Sequence, residues 1–236
     1  TIIIGTVVLQ GTTSKFLARL LGVAEPDDNG FLIIGANPVS RMLAHALNDN
    51  DFNSLVTDDS WTNIKLARME GLKSYYGNAI SEHASRHLDL VGLGHLLAMS
   101  PQKENNALVG QHYRSEFGSN RIYFLSSEPD SEKQEEDQNS RTSINYGHQV
   151  LFSHDTTFSK LASLISQGAQ TRHTTISDSF TYQDYKEQYG KRAIPLFSFN
   201  EKRQLQFFTS EIDFIPSPGT TITALVQEQA DDLKLE

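Results

Sequence analysis

The sequence predicts an α/β protein, a doubly wound parallel sheet followed by a smaller α+β domain. Three observations predict it. From residue 31 to residue 125, short apolar runs alternate with stretches whose apolar residues recur at helical spacing. A charge-dense segment over 127–140 then breaks that rhythm. Beyond it, helical stretches mix with strands that read as antiparallel pairs, including a hairpin around Asn200-Glu201-Lys202-Arg203.

The elements follow in order. Ala24–Gly30 collects Pro, Asp, Asn and Gly and reads as a loop. Phe31–Ile34 is an apolar strand. Val39, Met42, Leu43, Ala46 and Leu47 form one stripe of an amphipathic helix. Ser54–Thr57 is the second strand, and Trp61–Met69 a helix stopped by Gly71. Ser74–Tyr76 is the third strand. Ser81 caps a helix running to Leu88, because its hydroxyl accepts a free amide of the first turn. His95–Met99 is the fourth strand, Asn105–Phe117 a helix and Arg121–Leu125 the fifth strand. Strands alternating with helices imply right-handed crossovers and a parallel sheet covered on both faces. After the charged segment, Asp155–Ser166 and Thr181–Tyr189 read as helices. Gln149–Phe152, Gln170–Ile176, Ala193–Asn200, Leu205–Ser210 and Thr221–Val226 read as strands.

Composition excludes several functions. The 236 residues are 38% hydrophobic and 21% charged, enough to bury a core in one or two domains. With no cysteine, neither a disulfide framework nor a thiolate metal site is possible. A net charge of −9 argues against a nucleic-acid partner, which needs clustered Lys and Arg. The acidic run Glu128, Asp130, Glu132, Glu135, Glu136 and Asp137, with Lys133 inside it, reads as a solvated linker. Thr1–Gln10 is apolar and uncharged but too short to span a bilayer. It reads as a buried first element or as the end of a membrane helix, leading into an amphipathic Lys15–Leu21 stretch. Leu235-Glu236 reads as an appended tail.

The stretch that carries chemistry is Gly35-Ala36-Asn37-Pro38-Val39-Ser40, between the first strand and first helix. In a Rossmann-like fold this turn brings a pyrophosphate against free amides and the positive end of the helix dipole. Asn37 tolerates unusual backbone angles but its side chain crowds that approach. Pro38 presets the helix start and removes one N–H. Asp58 stands 23 residues after Gly35, just past the second strand, where a carboxylate accepts bonds from ribose hydroxyls. Gly77-Asn78 ends the third strand and Ser100 the fourth, so all of these points fall on the carboxyl edge of the sheet. His83 and His87 share a helix face, and without a third ligand they read as solvated. Tyr182, Tyr185 and Tyr189 at helical spacing read as packing. No GxSxG elbow, HExxH or P-loop lysine is present.

The segments FLIIGANPVSRMLAHAL, LVTDDSW, ARMEGLKSYYGNAISEHA and LLAMSPQKENNALVGQHY resemble the TrkA-N type of RCK domain, the regulator of conductance of potassium. They are most similar to the version at the cytosolic end of bacterial sodium/proton antiporters, and Thr6–Val23 resembles the stretch that follows the last membrane helix there. The resemblance implies an end of a membrane helix and connector over 1–23, an RCK N-type nucleotide-binding domain over 30–126, an acidic linker over 127–140 and a C-terminal α+β domain over 141–228. In that last domain, Pro216–Val226 weakly resembles the RCK-C domain. The resemblance further implies a non-catalytic regulatory unit at the cytoplasmic face of the bacterial inner membrane. Such a unit would bind NAD, NADH or an adenine nucleotide such as AMP, form a homodimer and act on the attached antiporter. Carried over, Gly35, Asn37, Val39 and Ser40 would meet the phosphates. Asp58 would take the adenosine ribose. Asn78 and Ala79 would flank the adenine, and Ser100 would lie beside the phosphate or second ribose. Pro38, Asp59 and Gly77 complete the expected cofactor-binding set. The chain departs from GxGxxG at Asn37 and Ser40. An NAD-dependent oxidoreductase and a ligand-free dimerisation scaffold are the alternatives.

Overall fold

A computed structural model describes residue 13 and residues 28–126, 149–153, 155–212 and 214–227. The expectations for residues 1–12, 14–23, 127–140 and 235–236 lie outside the described residues.

The first sheet has six parallel strands, β1 (Gly30–Ile34), β2 (Ser54–Asp58), β3 (Ser74–Tyr76), β4 (Leu93–Ala98), β5 (Ile122–Leu125) and β6 (Gln149–Leu151), in the order β3-β2-β1-β4-β5-β6. β1 is buried along its whole length because both of its faces are covered. Phe31 and Ile33 point into one core with α1 (Pro38–Asn48) and α2 (Trp61–Met69). Leu32 and Ile34 point into the other, against Val109 of α4 (Lys103–His112) and Phe117 of α5 (Arg114–Phe117). The doubly wound reading therefore holds, strand by strand.

Local chemistry starts each helix. In α1, Asn37 is the cap and Pro38 the first helical residue, where a missing N–H costs nothing. Ser60 caps α2, and Ser81 caps α3 (Glu82–His87) by accepting from the Ala84 amide at 3.1 Å. The helix expected over Asn105–Phe117 differs. It begins at Lys103 and is interrupted at Tyr113, which leaves helical geometry (φ −90°, ψ 5°) before α5 resumes. The Tyr113 hydroxyl donates to the Ala79 carbonyl at 2.7 Å, a tertiary bond that the local sequence does not announce.

The second sheet is antiparallel, order β7-β10-β8-β9, from β7 (Gln170–Thr175), β8 (Ala193–Phe199), β9 (Leu205–Phe207) and β10 (Thr221–Val226). The expected hairpin joins β8 to β9. One face of this sheet packs on α7 (Tyr182–Tyr189), whose N-terminus carries a reciprocal Thr181–Asp184 capping box. Through Leu196, Phe197, Phe207 and Leu225 the other face enters the same core as Phe31 and Leu97. The boundary between the two units needs correction. Residues 149–151, read as part of a domain over 141–228, form the sixth strand of the first sheet, parallel to β5. α6 (Phe158–Ser166) likewise contributes Leu161 to that shared core. A three-residue strand looks the same whichever sheet it joins, and only its pairing partner assigns it.

Candidate functional site

β1 delivers the chain to the point where strand order reverses, between β1 and β4, which is where open α/β sheets leave a crevice at their carboxyl ends. The turn there depends on Gly35. Its φ of +95° is a backbone region that other residues rarely enter, and a Cβ would lie 3.1 Å from Asn37 Nδ2. The Gly35 amide donates to the Thr57 carbonyl at 2.7 Å, fastening the turn to the end of β2.

Asn37 is buried and turned inward. Its Oδ1 accepts from the Ser40 amide at 3.0 Å, and its Nδ2 donates to the Met99 carbonyl at 2.7 Å. One side chain thus caps α1 and ties it to the end of β4. Asp58 ties two turns together. Its carboxylate accepts from the Ala36 amide at 2.6 Å, the Ser60 amide at 2.7 Å and the Asn63 side-chain amide at 3.0 Å. On the β4 side, Asn106 accepts from the Ser100 amide at 3.0 Å and donates to the Ser100 carbonyl at 2.8 Å, fixing that loop. The Ser100 hydroxyl accepts from the Gln102 amide at 3.2 Å. Burial pushes the Tyr113 phenol up to about 12, so it stays protonated as the donor that anchors Ala79.

These turns enclose a cleft of about 380 Å3, within the usual range for small-molecule sites, roughly 300–1,000 Å3. Gly35, Asn37, Asp58, Asp59, Gly77, Asn78, Ala79 and Ser100 all line it. Pro38, Val39 and Ser40 are not among its lining residues. Val39 packs into the core, and Ser40 is fully buried with its amide already taken by Asn37. Nor does the Asn37 side chain crowd the approach. It folds back as a cap. Asp58 reaches the cleft, but three protein donors hold it before any ribose could. Sequence reasoning missed Asn63, Gln102, Asn105 and Leu108, which also line the cleft. Asn63 and Asn105 are uncharged polar residues in the first turn of helices that follow β2 and β4, and that position was the available signal. A separate cavity of about 400 Å3, with Asp28, Asp89, Glu116 and Arg121 in its wall, holds none of the predicted residues.

The weaker candidates resolve simply. The His83 and His87 rings stack at 4.1 Å, and His83 shares a 2.7 Å hydrogen bond with the Tyr75 hydroxyl. Among the described residues no group of three or more His, Cys, Asp or Glu could hold a metal. Tyr182, Tyr185 and Tyr189 pack against one another, with Tyr185 buried, as their spacing suggested.

Residues 31–142 match the TrkA-N domain. The match runs from the second residue of β1 through β5 and includes every cleft-lining residue named above. Among solved structures, the chain is similar to the NAD(P)-binding domain of an exopolyphosphatase-related protein from Archaeoglobus fulgidus, at 24% identity and a TM-score of 0.38, covering 44% of this chain and 79% of that one. It is also similar to the TrkA-N domain of the inner membrane protein ybaL from Escherichia coli, at 22% identity and a TM-score of 0.36, covering 41% and 72%. A GsuK channel bound to NAD aligns over 94% of this chain at 16% identity and a TM-score of 0.41, with this chain spanning 43% of it. No curated protein matches the chain. No described helix is long and apolar enough to cross a membrane.

Proposed function

We propose that this chain is a regulatory unit that binds a nucleotide, NAD(H) or an adenine nucleotide such as AMP, in the cleft at the carboxyl edge of its parallel sheet. In this reading it works as a homodimer at the cytoplasmic face of the bacterial inner membrane and modulates a sodium/proton antiporter without doing chemistry itself. One observation carries the reading. Eight of the residues expected from sequence meet in a single cleft at the strand-order switch, inside the segment that matches the TrkA-N domain. Control of a transporter by such a ligand requires that the ligand bind two arrangements of the unit with different affinity.

The test is a thermal melt of the chain with NADH, NAD, AMP and ATP. A ligand present at a hundred times its Kd stabilises by about 2.7 kcal/mol, which for a protein of this size raises Tm by roughly 5–10 °C. Flat curves across the panel would remove the ligand claim and leave the fold untouched. Steady oxidation of NADH with a small carbonyl compound would instead make the unit an oxidoreductase.

A further inference from the structure

We propose that the open edge of the parallel sheet, formed by the outer face of α2 and the end of β3, is a docking surface for an anionic lipid bilayer. The inference goes beyond the nucleotide reading and does not rest on it. β3 is the outermost strand on its side of the sheet, and α2 packs beside it. Trp61, Lys65, Arg68 and Met69 recur at the spacing of one helix face and all are exposed, Trp61 at 52% and Met69 at 74%. Tyr76, half exposed at the end of β3, meets the Trp61 ring edge-on at 5.3 Å. The Arg68 guanidinium lies over the same ring, 5.3 Å from its centre. A large aromatic surface is thus held in place and left in water.

The charge on this edge names the occupant. Glu70, the C-cap of α2, is turned toward α1, where it pairs with Arg41 at 2.9 Å and His45 at 3.3 Å. Asp59, just before α2, lines the cleft. Lys65, Arg68 and Lys73 pair with no carboxylate among the described residues. Arg68 donates to the Ser74 hydroxyl and Lys73 to the Asn53 side chain, both neutral. The face is therefore cationic on a chain whose net charge is −9, and the distant negative charge is screened beyond about 8 Å at physiological salt. A second copy docked about a twofold axis would set these cations against their own copies, because such a contact pairs one patch with itself. Protein interfaces are also poor in Lys. Trp and Tyr together with Lys and Arg are instead the composition of a membrane boundary, where rings sit among headgroups and the basic ends reach lipid phosphate.

Trp61 is the single tryptophan of the chain, so its fluorescence reads this edge alone. The full 236-residue chain is titrated with vesicles of equimolar phosphatidylcholine and phosphatidylglycerol, and with vesicles of phosphatidylcholine only. Emission is expected to move to shorter wavelength with the anionic vesicles alone, and high salt is expected to reverse the shift. Each cation near an anionic surface adds about fivefold in affinity. Lys65→Gln combined with Lys73→Gln, both at exposed positions, is therefore expected to weaken binding about twentyfold. The apolar Thr1–Gln10 stretch offers a second route to a bilayer, so the deciding readings are the Trp61 emission and its response to the two lysines. Unmoved emission, an equal shift with phosphatidylcholine alone, or equal binding by the double variant would overturn the inference. So would a shift that grows with protein concentration without lipid, which would assign the edge to a second copy. An equal shift with polyglutamate would overturn it in favour of an acidic protein. None of these results alters the melts with nucleotide, so the two readings fail separately.

Discussion

The two sheets of this molecule solve the burial problem in opposite ways. The parallel sheet is covered on both faces, by helices on one and by helices together with the second sheet on the other, and its central strands β1 and β4 read as apolar runs because both faces are packed. Among the described residues, the antiparallel sheet has one helix of its own, α7, on one face. Its outer strand β7 is exposed along most of its length, and its other face lies in the core it shares with the first sheet. The difference teaches a dependence. The second unit borrows its interior from the first, through Phe207 against Phe31 at 5.5 Å and Phe199 against Phe52 at 5.8 Å. The two are expected to unfold as one cooperative body.

Three substitutions test this dependence. Phe197 is fully buried in the shared core, its ring 5.9 Å from that of Phe207. Phe197→Ala is expected to cost about 3–5 kcal/mol, read from urea unfolding. A single transition shifted to lower urea supports the shared core. Two separated transitions would show that the parallel sheet stands alone.

His95 probes the junction with pH. It pairs with Phe31 across β1 and β4, stacks on that ring at 5.0 Å, and has a buried Nδ1 with no hydrogen-bond partner. Burial is the main cause, helped by the Arg121 charge, that lowers its pKa from 6.5 to about 4. A bond to the Gly30 backbone and the Asp28 carboxylate pull the other way. The fold therefore holds the ring neutral, while the unfolded chain takes up a proton below pH 6.5. Stability is complete above about pH 6.5 and falls as pH drops toward 4, by on the order of 2–3 kcal/mol. His95→Phe keeps the stacking and is expected to flatten this slope in urea midpoints measured between pH 7.5 and 5. An unchanged slope would assign it to other groups.

The smallest effect is at the rim. Arg203 in the β8–β9 hairpin donates to the Asn50 carbonyl at 2.6 Å and to Asp51 at 2.8 Å, both exposed. Arg203→Ala is expected to cost under about 1 kcal/mol, and the loss should shrink in high salt.

Much of the first sheet was legible because its rules are local. Trp61–Met69 and Ser74–Tyr76 begin and end where the sequence pattern placed them. Thr221–Val226 was equally clear. The break at Tyr113 and the membership of 149–151 were not, since a hydroxyl bond to Ala79 and a pairing with β5 are long-range facts. The candidate site divides the same way. Strand ends located Gly35, Asp58, Gly77 and Ser100, because a parallel sheet gathers its tips on one edge. The direction in which Asn37 points was hidden, since it depends on the Met99 carbonyl, 62 residues away in sequence. The engagement of the Ser40 amide follows from that.

The clamp at Arg203 has a mechanical meaning when set beside the cap at Asn37. Both grip the same rod. α1 is eleven residues long, about 16 Å at 1.5 Å per residue. Its leading end forms the wall of the cleft, and the loop after its trailing end is held by the hairpin of the other sheet. A stiff rod pinned at both ends cannot pivot at one without levering the other. Any tilt forced on it at the cleft must be absorbed some 16 Å away, either by the hairpin moving with it or by Arg203 letting go.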